Sequence, residues 1–82
     1  MTTAEAKATM RVQEQSLPAL IALWELSDIQ IRSAAKANNT AQYQYIATVR
    51  GWLQDELEKR DPQAFDAWLE STEDSPERFY VA

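Results

Sequence analysis

The sequence predicts an all-α fold, a small helical bundle of three main helices with a further helix at the N-terminus. Three observations predict it. First, Tyr45, Ile46, Val49, Trp52, Leu53 and Leu57 recur at helical spacing. At about 100° per residue they form a stripe roughly 140° wide, the breadth of a helix that buries one face. Second, Asp61-Pro62 ends that helix and starts another, because Asp accepts bonds from free N–H groups and Pro needs none at the first helical position. Third, Leu17, Leu20, Ile21, Leu23, Trp24 and Leu26 make the most apolar part of the chain a helix too.

In chain order, Thr2 with Glu5 matches a capping box, and the Ala-Glu-Ala-Lys-Ala run that follows favours helix. Ala4, Ala6, Ala8, Met10 and Val12 nevertheless alternate with polar residues, a period that suits a strand. Alanine packs poorly in sheets, so helix is the preferred reading, with a frayed or partner-ordered segment as the alternative. Ser16-Leu17-Pro18 is a junction in which serine caps and proline occupies a first turn. The helix that follows has apolar residues on almost every side and is expected in the middle of the assembly. Ser27-Asp28 would allow it to end early. Ile29, Ile31, Ala34, Ala35 and Ala37 carry it onward instead, to a stop at Asn38-Asn39, since Asn tolerates the left-handed conformation of helix ends.

Thr40 is the expected cap of the next helix, which runs to Arg60 with Gly51 in its middle. Ala47 and Gly51, four apart, would let another backbone approach; the plainer reading is an exposed glycine that the helix tolerates. Phe65, Trp68 and Leu69 give the following helix its apolar side. An acidic loop, Glu70 to Asp74, leads to Ser75-Pro76, a cap for a single turn over 76–79. Phe79, Tyr80 and Val81 are expected to fold back over the core, against Trp68. The helices thus span about 17–37, 40–60 and 62–71, and short connections favour antiparallel neighbours. The whole of 1–82 is read as a single helical domain, with 72–82 as a C-terminal loop and turn.

A domain of 82 residues buries only about 60% of the surface its unfolded chain exposes. With no cysteine and no histidine, neither disulfides nor the usual zinc ligands supplement that core, which makes self-association a physical option. The net charge of −5 is uneven. Residues 1–54 carry four acids against five bases, whereas residues 55–82 carry nine acids against three. The acidic end repels phosphate, so nucleic acid is an unfavoured partner and a basic protein surface a favoured one. No run approaches the roughly 20 apolar residues of a membrane span, and the N-terminus lacks a secretory layout, so the expected location is cytoplasmic.

The chemistry of catalysis is sparse. Activating a Ser or Thr nucleophile needs a base, commonly His, and Lys7, Lys36 and Lys59 lie in polar surroundings. Asp55 with Glu58, and Asp66 with Glu70, fall on common helix faces. Acid–base work requires one of a pair to be desolvated, and these flank exposed faces. Glu70, Glu73, Asp74 and Glu77 lack the order of a calcium loop, and one glycine in total excludes a phosphate-cradling loop. The sequence therefore predicts no enzyme, no cofactor, no metal and no small-molecule substrate. Trp24 and Trp68 fit core positions. Tyr45 and Trp52 sit at one flank of their stripe, where large aromatics serve equally as core edge or as interface.

Leu17-Pro18-Ala19-Leu20-Ile21 with Trp24-Glu25-Leu26, then Val49-Arg50-Gly51-Trp52-Leu53, and Asp61-Pro62 through Ala67-Trp68-Leu69, resemble small acidic helical proteins of actinobacterial phages and plasmids. The likeness covers about half of the chain. It implies a mobile-element origin and, being carried by packing motifs, no chemistry. Three functions are consistent with the residues. The preferred one is a non-enzymatic protein–protein interaction module, with a homodimer favoured by the apolar width around Leu23, Leu26, Tyr45 and Trp52. The second is an acidic mimic of nucleic-acid phosphates at a basic site of a host protein, presenting Asp55, Glu58, Asp66 and Glu70. The third is a helix-turn-helix DNA-binding protein, which would need a basic recognition helix that residues 62–71 do not supply.

Overall fold

A computed structural model describes residues 11–80 of the chain. Residues 11–14 are helical, and four helices follow: α1 (Leu17–Lys36), α2 (Thr40–Arg60), α3 (Pro62–Glu70) and α4 (Glu77–Tyr80). The described residues contain no strand, so the all-α expectation holds. The expected Thr2–Glu5 capping box, the alternating run from Ala4 to Met10 and the tail residue Val81 lie outside the described residues.

Side chains written into the sequence set each boundary. Ser16 Oγ accepts the Ala19 N–H at 3.3 Å, with Pro18 in the first turn of α1. α1 passes through Ser27-Asp28 without a break because Ser27 Oγ donates to the Trp24 carbonyl at 2.6 Å, within the helix. At its far end Asn38 takes φ 55°, the left-handed region that Asn tolerates. The Asn38 and Asn39 N–H groups then bond back to the carbonyls of Ala35 and Ala34, which closes the helix in a Schellman motif. The cap of α2 is Asn39, whose Oδ1 accepts the Gln42 N–H, and not Thr40 as expected. The same short Asn pair thus ends one helix and starts the next. Asp61 Oδ1 caps α3 through the Ala64 N–H at 3.0 Å, with Pro62 at the first helical position.

α2, rather than α1, is the middle element: it packs on both α1 and α3, and α3 packs on α4. Only one face of α1 is buried, through Leu20, Ile21, Trp24, Ser27 and Ala34. This corrects the expectation of a central α1. A helix can be apolar all round, but with only one long neighbour it has only one face to cover. The α2 stripe divides likewise. Ile46, Leu53 and Leu57 are buried, Val49 and Trp52 pack half-buried against the core, and Tyr45 projects outward. On α3, Phe65 and Trp68 are buried while Leu69 is exposed.

The core joins Leu20, Ile21 and Trp24 of α1 to Leu53 and Leu57 of α2 and to Phe65 and Trp68 of α3, and Val12 closes one end. Trp24 and Trp68 meet edge to face with ring centroids 5.0 Å apart. The tail folds back as expected, though its main anchors are Pro76, fully buried, and Tyr80. The Tyr80 hydroxyl donates to the Leu57 carbonyl at 2.8 Å, a group that also accepts the Asp61 N–H. A Cβ added at Gly51 meets nothing within 4 Å, which supports the plainer reading of an accommodated glycine.

Two outcomes are expected. Gly51→Ala, a helix-interior change into open space, raises the unfolding free energy by about 0.5–1 kcal/mol in urea melts. Burial first, then the neighbouring carboxylates of Asp61 and Glu58, push the Tyr80 hydroxyl up to about 12 from its ordinary value of 10.0. The unfolded chain therefore ionises first, so the contribution of Tyr80 to stability is fully present below pH 10 and is lost as pH rises from 10 towards 12. Tyr80→Phe lowers stability by about 1 kcal/mol at neutral pH and makes the alkaline decline shallower.

Candidate interaction surface

The largest departure from a covered core lies on α1. Leu23, Leu26 and Ile29 are 39%, 49% and 67% exposed, three large aliphatic side chains at successive three-residue steps. At about 100° per residue they share an arc of roughly 120° with Ala19, Ala22, Gln30 and Ser33. No charged residue falls inside that arc. Its edge on the Ile29 side carries Glu25 in the N-terminal half and Arg32 and Lys36 in the C-terminal half. Glu25 Oε2 accepts the Ser75 hydroxyl at 2.9 Å, and Arg32 reaches Asp28 and Asp74, so the contacts beneath orient these edge charges. The sequence pattern was legible as apolar. The exposure of Ile29 was not, because periodicity alone does not say which side of an apolar helix lacks a neighbour.

The other expected partner-binding residues are distributed as follows. Tyr45, 64% exposed, and Trp52 lie two turns apart on one flank of α2. Lower on that flank, Val12 and Gln13 border a shallow hollow with Trp52, Asp55, Glu56 and Lys59, so Trp52 is the edge of the core while Tyr45 stands clear of it. Asp55 and Glu58 on α2, and Asp66 and Glu70 on α3, are all exposed. None of the four takes part in an ion pair among the described residues. Tyr43 adds a further exposed aromatic on the other flank of α2.

A densely organised polar cluster between α1 and α2 involves a residue that sequence reasoning counted only as a charge. The Arg50 guanidinium lies 3.7 Å from the centroid of the Trp24 ring and donates to Ser27 Oγ at 2.9 Å, with Asp28 at 3.9 Å. Burial lowers its pKa from the ordinary value, the Asp28 carboxylate opposing the shift, and an arginine so placed stays protonated at neutral pH. The available signal was Ser27-Asp28 in mid-helix, a polar step on an otherwise apolar element. This cluster joins α1 to α2. Its hydroxyl, Ser27 Oγ, is engaged by the Trp24 carbonyl and by Arg50.

Elsewhere, a groove of about 460 Å³ runs between Leu17, Pro18, Ile21 and Ala22 on α1 and Glu77 and Tyr80 on α4, with Glu25 completing it. Among the described residues no three or more Asp or Glu converge to hold a metal ion. Every buried side-chain nitrogen or oxygen among them has a hydrogen-bond partner. No helix among them is long and apolar enough to cross a membrane.

Arg50→Met keeps the aliphatic packing over Trp24 but removes the cation and its bond to Ser27. Urea melts followed by tryptophan fluorescence are expected to give a loss of about 1–2 kcal/mol, with altered emission from Trp24. Comparison with known families, characterised proteins and solved structures gives no match for this chain.

Proposed function

We propose that this chain is a non-enzymatic protein–protein interaction module whose contact surface is the outer face of α1. The observation that carries the reading is the charge-free face with Leu23, Leu26 and Ile29 exposed side by side. Isolated exposed apolar residues are ordinary on a protein surface. A contiguous row, flanked along one edge by charges on a 20-residue helix, is what a partner-binding surface requires. Covering it removes apolar area from water at about 25 cal/mol per Å² before association costs are met. Tyr45 extends the apolar exposure at a separate place. The resemblance to small phage and plasmid proteins fits an accessory protein that works by contact.

The second reading, phosphate mimicry, is favoured by one observation: Asp55, Glu58, Asp66 and Glu70 are exposed and unpaired with bases among the described residues. The helix-turn-helix reading has less support, since α3 carries Asp66 and Glu70 and no Lys or Arg to meet phosphates.

Chemical cross-linking of the immobilised chain in extract of its source cells separates the readings. The wild type is expected to hold its partner at low salt and at about 1 M salt, where the Debye length is only about 3 Å. Leu26→Glu with Ile29→Glu is expected to lose it, with the circular dichroism unchanged because both side chains are exposed. Undiminished capture by that double variant overturns the α1 reading. Capture that disappears at high salt and with Asp66→Asn and Glu70→Gln supports phosphate mimicry in its place.

A further inference from the structure

We infer that the occupant of the α1 face is a second copy of this chain, docked antiparallel about a two-fold axis near Asp28. The inference rests on the interaction reading above and names the partner of that same surface. It follows from how the charges are arranged around the apolar row. In an antiparallel helix pair, each edge of one helix lies against the same edge of the other. On the Ile29-side edge, Glu25 stands before the centre of the row, and Arg32 and Lys36 stand after it. A two-fold axis near Asp28 therefore sets Glu25 of each copy within reach of Arg32 of the other. Leu26 then lies beside Ile29 of the second copy, and the small residues Ala22 and Ser33 meet across the pair. A parallel pairing sets this edge against the opposite edge of the second copy, which carries Leu20, Ser27 and Ala34 and no charge, so Glu25 and Arg32 find no partners there.

The edge charges select the orientation and register more than they add affinity, since exposed ion pairs contribute little. The apolar row supplies the attraction. One helix face is smaller than the roughly 800 Å² per partner of a standard-size interface, so the pair dissociates on dilution. A self-complementary patch of this kind closes on itself and stops at two copies.

The cysteine-free chain allows a direct test. Ala22 and Ser33 are exposed, so Ala22→Cys and Ser33→Cys leave the core intact. With the axis near Asp28, Ala22 of one copy faces Ser33 of the other. Like positions lie about 15–18 Å apart along the axis, beyond the reach of a disulfide. Under mild oxidation the equimolar mixture of the two variants is expected to cross-link at least several-fold more than either alone, or than Thr72→Cys on the exposed loop. Light scattering of the wild type from about 1 μM to about 1 mM is expected to rise from 9.4 kDa towards twice that mass. Efficient self-linking of each single variant points to a parallel pair and overturns the proposed geometry. Cross-linking no greater than in the Thr72→Cys control, with a monomer mass throughout, overturns the second copy as occupant. If Leu26→Glu with Ile29→Glu still loses a different protein, the interaction reading stands without it.

Discussion

The contact between Trp24 and Trp68 is the constraint on which the rest of the structure depends. The rings meet at 90°, which aims a positive ring edge at a negative ring face. Their burial obliges both indole N–H groups to find acceptors, and those acceptors are adjacent in the chain. Trp68 Nε1 donates to the Glu73 carbonyl at 3.0 Å, and Trp24 Nε1 to the Asp74 carbonyl at 2.8 Å. An unsatisfied buried donor costs about 1–3 kcal/mol, so the pair holds the acidic segment against the middle of α1 and the C-terminal end of α3. That in turn delivers Pro76 and Tyr80 to the core. Two helices and the tail are fixed by one aromatic contact and its two hydrogen bonds.

Arg50 lies over a face of Trp24, so the same ring links α1 to α2. The charges around it form a chain rather than isolated pairs: Arg50 beside Asp28, Asp28 with Arg32, and Arg32 with Asp74. The outer members are well exposed and individually weak, whereas the Arg50 end is largely covered and is stabilised by Ser27 and the ring. A similar half-buried pair, Arg60 with Glu56, reaches the Gln13 carbonyl and ties residues 11–14 to α2. These cations are committed to packing, which is why they do not read as sites for an anionic ligand.

The position of α2 decides what is left over for function. With α2 between α1 and α3, α1 has a covered side and an open one, and its open side carries leucine and isoleucine without a charge. The chain thus leaves an apolar row in water on the more apolar of its two long helices while satisfying every buried polar side chain among the described residues. The acids of the C-terminal third divide in the same way. Glu73 and Asp74 serve the tail through their backbone carbonyls, while Asp55, Glu58, Asp66 and Glu70 face solvent.

The sequence by itself determined the all-α class, the passage of α1 through Ser27-Asp28 to Lys36, the Asp61-Pro62 junction, the core placement of Trp24 and Trp68, and the return of the tail. Each is a local matter of spacing, cap chemistry or unexplained apolar residues, and local physics is legible one residue at a time. The tertiary structure alone decided that α2 takes the middle, that Asn39 displaces Thr40 as a cap, and that Leu69 and Ile29 stay in water. It also decided that Arg50 covers Trp24 and that two indoles share one loop. These depend on which neighbour arrives at which face. Nothing in a helical period records that, because the period is the same whether the facing side meets a second helix or the solvent.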